Sequence, residues 1–269
     1  MITLFLAVYY FFLVIAFALA AVLLKTIDGR GFLASVVVGV AIIYGGGFMW
    51  FVIVAVFFVL GVAVTLYKYG YKKKLGGAQE KGGARNWPNI LANGGVASAI
   101  AMVNFYSPSA ILAATFLGAV SASAADTAAT ELGLLSPGKP RLITNPAKTV
   151  SPGTSGGVSW LGFIGALFAS LVIGIIAFAL GVLPGILTLV VLCAVGGVAG
   201  AVVDSLLGAL VQRRGYCPVC LKPTESLTHC GEPTRSTGGI PFIENNVVNV
   251  LATVAGAVVS LGLYLAIIY

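Results

Sequence analysis

Three carboxylates lie inside or at the edge of long apolar stretches of this sequence. Asp126 and Glu131 follow a charge-free stretch from 86 to 125, and Asp204 follows another that runs from 149 to 203. Ionisable side chains in apolar segments are costly to bury and usually mark a functional site. Interhelical hydrogen bonding, the alternative role for polar groups in such segments, does not require a charge. We therefore predict that Asp126 and Asp204 belong to a site, with Glu131 beside them.

Asparagines occur at the same end of neighbouring apolar stretches. Asn89 and Asn93 stand one helical turn apart at the start of one stretch, and Asn246 and Asn249 stand at the start of another. At about 1.5 Å per residue, Asp126 and Asp204 each lie roughly 25 Å from the opposite end of their stretches, so carboxylates and carboxamides share one level. Interhelical hydrogen bonding also explains any single asparagine. Convergence from four separate segments favours one site.

A loop rich in glycine and hydroxyl groups supplies complementary chemistry. It leads directly into an apolar stretch and contains Lys148, Thr149, Gly153, Thr154, Ser155, Gly156 and Gly157. Glycines let backbone amides turn towards an anion, and a helix N-terminus adds its positive dipole. Phosphate and carboxylates repel each other unless a cation lies between them, and Mg²⁺ fits that role. The pattern predicts a membrane phosphotransferase with a water-soluble phosphate donor.

A short polar segment near the C-terminal end carries three of the four cysteines. Cys217 and Cys220 are separated by two residues, and His229 and Cys230 follow. Cys-x-x-Cys is the usual half of a tetrahedral zinc site, and Cys230 is a suitable third ligand. His229 is the candidate fourth ligand, although adjacent residues seldom both reach one metal. We predict structural Zn²⁺, with a redox pair and unliganded thiols as the alternatives.

The composition requires that membrane-spanning helices position these groups. Of 269 residues, 59% are apolar and 9% are charged, and the mean hydropathy is +1.05. A water-soluble domain carries roughly 25% charged residues, so this chain cannot cover a solvated surface. We predict an all-α polytopic membrane protein that forms a single integral membrane domain over 1–269. Disordered chains, secreted disulfide scaffolds and soluble nucleic-acid binders are excluded.

Apolar runs and the glycine- and proline-containing breaks between them predict about eight spans. The spans are 1–24, 31–44, 48–67, 90–105, 109–132, 158–180, 185–211 and 247–268. Each of the long charge-free stretches exceeds the ~20 residues that a helix needs to cross a bilayer. We interpret the first run as a span rather than a signal peptide, because no basic residue precedes it.

The basic residues predict the orientation of these spans. Alternating the spans across a membrane places all 15 lysines and arginines on one side. The positive-inside rule makes that side the cytosol and leaves both termini outside. The cytosolic side then carries a basic loop at 68–89, the phosphate-binding loop at 133–157 and a small Cys-rich, zinc-like loop at 212–246. We interpret the lysine run 72–74 as a surface anchor for anionic headgroups.

Five segments resemble one known family. They are 93–95, 123–133, 140–157, 200–208 and 245–249. Together they resemble the family of phytyl-phosphate kinase and transmembrane protein 19, over most of residues 85–260. The Asp-Thr-x-x-x-Glu and Gly-Thr-Ser-Gly-Gly motifs are its specific elements. More distantly, the pattern is similar to CTP-dependent polyprenol kinases and CDP-diacylglycerol synthases.

This resemblance implies CTP- and Mg²⁺-dependent phosphorylation of a prenyl monophosphate, of the phytyl or geranylgeranyl type, to the diphosphate at the cytosolic membrane face. It implies that Asp126, Glu131 and Asp204 bind Mg²⁺, and that Lys148 acts with the two aspartates in catalysis. The residues implied for the nucleotide phosphates are Arg141, Lys148, Thr149, Gly153, Thr154, Ser155, Gly156 and Gly157, and those implied for the acceptor are Asn89, Asn93, Asn246 and Asn249. One departure is Pro152, which stands where the wider kinase pattern often has an acidic residue.

Other functions fit some of the same residues. A prenol kinase would phosphorylate the free alcohol, and a lipid cytidylyltransferase would release pyrophosphate. A lipid or small-solute transporter also uses polar groups in membrane helices, but its site would lie near the midplane rather than at one interface. The expected partners are CTP, a prenyl phosphate and the membrane. No nucleic acid is expected, and a homo-oligomer is left open.

Overall fold

The computed structural model describes residues 2–75, 81–221, 223–225 and 227–268 and forms a helical bundle with small loop sheets. Its helices are α1 Ile2–Leu23, α2 Gly29–Leu66, α3 Tyr69–Lys74, α4 Trp87–Tyr106, α5 Ala110–Gly133, α6 Trp160–Ala179, α7 Ile186–Leu210 and α8 Asn245–Ile268. Six of the described helices are long and apolar enough to cross a membrane, namely α1, α2, α5, α6, α7 and α8. The predicted spans agree with the ends of the helices to within three residues.

Polar residues just before the helices fix where four of them begin. The side chain of Asp28 accepts a hydrogen bond from the backbone N–H of Gly31, which starts α2. Asn86, Ser109 and Ser159 do the same for α4, α5 and α6, each through the amide three residues on. Such caps satisfy amides that the helix itself leaves unpaired, so the chain enters each span at a defined residue.

Helix α2 consists of two antiparallel halves that meet at Gly47. This residue has φ 81° and ψ −178°, a conformation open to glycine but strained for other residues. Beyond it the chain folds back, because Gly31 and Gly61 both contact Arg85 although about 45 Å of straight helix would separate them. The predicted break at 45–47 is confirmed, and α2 supplies two spans. With α4, which is not among the six apolar helices, the described helices are compatible with the eight predicted spans.

The centre of the bundle is α5, which packs against α2, α4, α6, α7 and α8. Its inward faces carry small buried residues such as Ala114, Gly118 and Ala122. Small residues let membrane helices approach closely without a hydrophobic driving force between them. Around α5, the bundle has a turn side, where 45–47, 107–109 and 180–185 connect helices. The opposite, loop side carries the described parts of the longer connections, namely 67–75, 81–86, 134–159, 211–221, 223–225 and 227–244.

The loop side contains short strands that the all-α prediction did not include. Three form an antiparallel sheet of order β2-β1-β3, with β1 Arg141–Leu142, β2 Asn145–Thr149 and β3 Gly157–Val158. The later loop holds β4 Arg214–Tyr216, β5 Pro223–Thr224, β6 Thr228–His229, β7 Glu232–Pro233 and β8 Arg235–Gly238, with sheet orders β5-β4-β8 and β6-β7. The membrane part is all-α as predicted, whereas the strands are two to five residues long and leave no periodic signal.

The surface role predicted for the lysine run is wrong for Lys72. Its side chain is 0% exposed, and its Nζ lies 2.5 Å from Oε2 of Glu131 on α5. The same ammonium donates to the carbonyl oxygens of Val64 and Thr65 at the end of α2. Lys73 and Lys74 are exposed. The short helix α3 therefore folds one lysine into the bundle and leaves its neighbours outside.

Candidate active site

Two aspartates from different helices meet at the loop side of the bundle. Asp126 on α5 and Asp204 on α7 lie within hydrogen-bonding reach of each other through their carboxyl groups. One helical turn earlier on each helix, Ala122 and Gly200 are in direct contact. Because Gly200 has no side chain, the two helices approach most closely there. This contact places the two acids, four residues further along, side by side.

A third helix contributes an amide to the pair. Asn249 is buried near the start of α8. With its amide nitrogen facing the neighbouring oxygens, it donates to Oδ1 of Asp204 at 3.2 Å and to the carbonyl oxygen of Asn245 at 3.1 Å. Gly256, two turns along α8, contacts Ala122 on α5 and brings the helices together. The structure therefore brings Asp126, Asp204 and Asn249 together.

The predicted phosphate-binding loop lies on the end of α7 that carries Asp204. Gly156 has φ 75° and packs directly against Ala209, so a side chain at this position would collide with the helix. Gly208 lies one turn after Asp204 and also faces the loop. A Cβ added to Gly208 would be 3.1 Å from the backbone nitrogen of Gly156. Ser155 is therefore held above the aspartate pair. The glycine at 156 is required by this close approach as much as by its backbone angles.

The sequence prediction missed Glu225, which lies at the same place. The hydroxyl of Ser155 donates to Oε1 of Glu225, and Gln212 forms a second side-chain hydrogen bond with it. Glu225 is also close enough to Asp204 for the two charges to interact. Burial raises the pKa of Glu225 above its ordinary value, and the two hydrogen bonds act in the opposite direction. Nothing in the pattern of the polar loop distinguishes this glutamate from its neighbours.

Several other predicted site residues lie apart from the aspartate pair. Glu131 is paired with Lys72 and is 2% exposed. Arg141 uses its guanidinium to donate to the carbonyl oxygen of Pro146 at 2.6 Å. Lys148 and Thr149 lie on β2 with exposed side chains, and Gly153 and Thr154 are exposed in the following turn.

The predicted asparagines of α4 take part in local contacts. Asn93 is buried, and its side chain donates to the carbonyl oxygen of Asn89 at 2.9 Å. Its own carbonyl oxygen accepts a 2.8 Å hydrogen bond from Ser123 on α5. Ser123 is three residues before Asp126, so Asn93 lies beside the turn that carries the aspartate. Asn246 is half-buried at the start of α8.

The Cys-rich loop brings all four of its predicted metal ligands together. One ligand atom each from Cys217, Cys220, His229 and Cys230 lie within 4.8 Å of one another. Nδ1 of His229 is 3.4 Å from Sγ of Cys220 and 3.2 Å from Sγ of Cys230. The backbone of Cys230 has φ 54°, which turns the chain enough for adjacent residues to reach one point. The cluster could hold a metal ion.

The cluster also favours the thiolate form of Cys217, which is the form that binds metal ions. The backbone N–H of Cys220 donates to the sulfur of Cys217 and lowers the pKa of that thiol to about 6. Thiolates rather than thiols are the ligands of metal ions. Arg213 connects two parts of this loop, because its guanidinium donates to the carbonyl oxygen of Glu225 at 3.1 Å and to Oγ1 of Thr234 at 2.8 Å.

Comparison with known proteins identifies the family. The family described as integral membrane protein DUF92 matches residues 12–257. An uncharacterised membrane protein of Methanocaldococcus jannaschii is 28% identical over 240 residues, which cover 89% of this chain and 87% of the relative. Protein PGR of Arabidopsis thaliana is 30% identical over 248 residues, 84% of each chain. Protein VTE6, chloroplastic, of the same plant is 24% identical over 251 residues, 91% of this chain and 68% of that protein.

No solved structure matches this chain. The family match extends from α1 to α8, so it includes the aspartate pair, the glycine turn and the cysteine cluster. Together with the two plant relatives, it confirms the family resemblance predicted from the sequence motifs. The chain belongs to the DUF92 family of integral membrane proteins.

Proposed function

We propose that this protein is a CTP- and Mg²⁺-dependent phosphotransferase that converts a prenyl monophosphate, such as phytyl or geranylgeranyl phosphate, to the diphosphate. The observation that carries the proposal is the meeting of Asp126 and Asp204 beneath the turn of Ser155 and Gly156. Carboxylates on two helices can hold a cation, and a glycine turn above them can hold phosphate. The sequence motifs that include these residues resemble a family of prenyl-phosphate kinases.

The donor set around the aspartates fits a hard divalent cation. Two carboxyl groups in hydrogen-bonding reach repel each other when both are ionised, unless a proton or a cation lies between them. Mg²⁺ prefers one or two carboxylates together with phosphate oxygens, and it would neutralise charge on the transferring phosphoryl group. Asp126 and Asp204 would hold the ion, and Asn249 orients Asp204 through its amide.

The loop residues would bind the nucleotide and the acceptor phosphate. In this proposal Ser155, Gly156 and Gly157 face the donor phosphates from above the aspartates. Lys148 and Arg141 would reach the phosphates from the adjoining sheet, where Lys148 is exposed. Asn93 and Asn246 would contact the acceptor phosphate at the helix ends.

The reaction needs alignment more than proton transfer. A phosphate oxygen of the prenyl monophosphate would attack the γ-phosphorus of CTP, form the new P–O bond and displace CDP as the bond to the β-phosphate oxygen breaks. The attacking oxygen is already anionic, so no strong general base is required. Catalysis then depends on positioning and charge neutralisation, which are the main contributions in phosphoryl transfer.

The membrane orientation and the loop metal complete the proposal. All 15 lysines and arginines fall on the loop side, so we assign that side to the cytosol, where CTP is available, and both termini to the outside. We assign Zn²⁺ to Cys217, Cys220, His229 and Cys230, because three thiolates and one imidazole form a common structural zinc site. The ion would stabilise the loop that carries Glu225.

A donor-by-acceptor screen tests the proposed reaction. Purified protein should convert geranylgeranyl or phytyl phosphate to the diphosphate with CTP and Mg²⁺, as measured by product mass spectrometry. Asp126→Asn and Asp204→Asn should each lower turnover by about 10²-fold or more, because each removes charge stabilisation from the transition state. Glu232→Gln, which changes an exposed acid on the same side, is the matched control.

The products separate this reaction from its close variants. Phosphorylation of the free alcohol would show a prenol kinase, and pyrophosphate release with a CDP-lipid product would show a cytidylyltransferase. Absence of any diphosphate with CTP, ATP, GTP and UTP would refute the proposed activity. Full turnover in both aspartate variants would instead refute the proposed site.

A further inference from the structure

An apolar groove separates α1 from both halves of α2 and the start of α4. Its walls include Val14, Phe17, Val38, Phe51 and Phe58. Along α1 the groove extends from Ala21 to Val14, which is roughly 10 Å at 1.5 Å per residue. The groove therefore runs from the loop side into the middle of the bundle's length. The groove is shorter than a geranylgeranyl or phytyl chain, and its apolar walls suit the part of such a chain next to its headgroup.

A buried arginine forms part of the groove wall at its loop-side end. The Arg85 side chain is 9% exposed, and its guanidinium lies 5.5 Å from the ring centre of Phe57 and 5.8 Å from that of Phe58. Its backbone is fixed by hydrogen bonds with Thr26 and Asp28 in the α1–α2 connection. Across the described ranges of the chain, the guanidinium donates no hydrogen bond to a protein acceptor.

The charges around this arginine are unbalanced. Glu131 is the acid whose charge acts on Arg85. That carboxylate is already bound by Lys72 at 2.5 Å. The buried group of Lys72, Arg85 and Glu131 therefore carries two positive charges and one negative charge. A buried cation without a full counter-charge is costly, so an anion in the groove would stabilise this arrangement.

The polar end of the groove adjoins the aspartate site. Asn93 lines the groove, and its carbonyl oxygen accepts the hydrogen bond from Ser123, one turn before Asp126 on α5. Glu131 lies five residues after Asp126 on the same helix, about 7.5 Å along the axis. Arg85, which the charge of Glu131 reaches, therefore lies nearer the loop-side end of the bundle than the aspartates. Asn93, which lines the groove and contacts the turn before Asp126, connects the groove to the aspartate site.

We propose that this groove binds the hydrocarbon chain of the isoprenoid phosphate acceptor, with the acceptor phosphate against Arg85. The inference rests on the proposed function, because it takes the acceptor of that reaction as the occupant. The charge of Arg85 selects an anionic headgroup, and the walls of the groove accommodate one chain lined by aromatic and branched side chains. Arg85 is a binding residue for the substrate.

Binding measured without nucleotide tests the groove separately from turnover. The probe is geranylgeranyl phosphate with a diazirine on the isoprene unit next to its phosphate, added to the detergent-purified full chain. Crosslinks should map to α1 and to the 48–58 part of α2. Arg85→Gln should weaken binding about tenfold to a hundredfold, since hydrogen bonds to a charged partner are lost. Arg85→Lys should weaken it less.

Two matched controls accompany these variants. Arg30→Gln removes an exposed arginine on the same side and should bind the probe as the native protein does. Ala55→Phe fills the groove while Arg85 is retained, and should block crosslinking. Val59→Phe adds the same ring at a position that is 58% exposed on the same half of α2, and should not. The groove variant keeps the test valid if Arg85→Gln does not fold.

Competition identifies the source of the phosphate. Geranylgeranyl phosphate without the label should displace the probe, whereas geranylgeraniol, inorganic phosphate and phosphatidic acid should compete at least tenfold less well. Equal competition by phosphatidic acid would show a site for membrane lipid and overturn the proposal. Native binding in both Arg85→Gln and Ala55→Phe, or crosslinks outside the groove, would overturn it too. Groove binding as described with no turnover on any nucleotide would support the groove and refute the proposed function.

Discussion

At the scale of single residues, the buried pair of Lys72 and Glu131 shows how an ordinary surface residue becomes part of a core. The ammonium makes three close contacts, with one carboxylate and two carbonyl oxygens at the end of α2. This arrangement satisfies all three of its donors away from water. Lys72 thus ties α3 to both α2 and α5.

Breaking this pair should destabilise the protein strongly. Lys72→Met should lower the free energy of unfolding by about 3–5 kcal/mol, because it leaves the Glu131 carboxylate buried beside Arg85 alone. Lys72→Met combined with Glu131→Leu should recover part of that loss. Thermal unfolding of the purified protein measures the effect, and Lys73→Met, at an exposed neighbour, is the control. Equal stability of the Lys72 and Lys73 variants would contradict a structural role for the pair.

Sequence reasoning predicted the aspartates, Asn249 and the glycine turn, but it did not predict the roles of Lys72 and Glu225. An acid within an apolar stretch is conspicuous, and counting from the helix ends places Asp126 and Asp204 at one level. Lys72 and Glu225 lie in polar segments where charged residues are common, so their types carry no signal. Their roles depend on partners far away in the chain, at Glu131 and Ser155.

At the scale of elements, the Cys-rich loop is held together by its own turns and ligands rather than by the helices. Its turns bring four ligands together, while Glu225 connects it to the rest of the site.

The spans and the turn at 45–47 could be predicted because glycines and polar caps interrupt long apolar runs. The strands could not, since each needs a partner that lies in another part of its loop.

Loss of the metal cluster should affect the loop without unfolding the bundle. Native protein should contain about one Zn²⁺ per chain by elemental analysis, and Cys217→Ser should lose it, because three ligands with one open position bind less tightly than four. The 212–244 loop should then become sensitive to protease and turnover should fall, while the melting of the helices changes little. Cys193→Ala, at a buried cysteine in α7, should keep its zinc. Unchanged metal content in Cys217→Ser would contradict the assigned ligands.

At the scale of the whole molecule, the two ends of the bundle are unlike. The aspartates, the glycine turn, the cysteine cluster and Arg85 all lie on the loop side, and the connections on the turn side are only a few residues long. The positive-inside rule predicts this division from basic residues alone. The sequence could not place Arg85 beside a groove, because the walls of that groove come from helices that meet only in the folded bundle.

Labelling with a membrane-impermeant maleimide should show the two sides directly. Ser107→Cys, at an exposed residue on the turn side, should react in intact cells, where the parent protein should not. Lys139→Cys, at an exposed residue on the loop side, should react only once the membrane is permeabilised and serves as the reference for that side. Reaction of both positions in intact cells would contradict the orientation assigned here.

Because the connections on the turn side are short, they also limit the surface that binding proteins can recognise there. Antibody fragments or synthetic binders need a few hundred Å² of ordered, water-exposed surface, and segments such as 45–47 and 107–109 are too short to provide it. Selections against the detergent-solubilised protein should therefore yield epitopes on the loop side, above all on its three small sheets. Such binders would carry the mass needed for single-particle imaging.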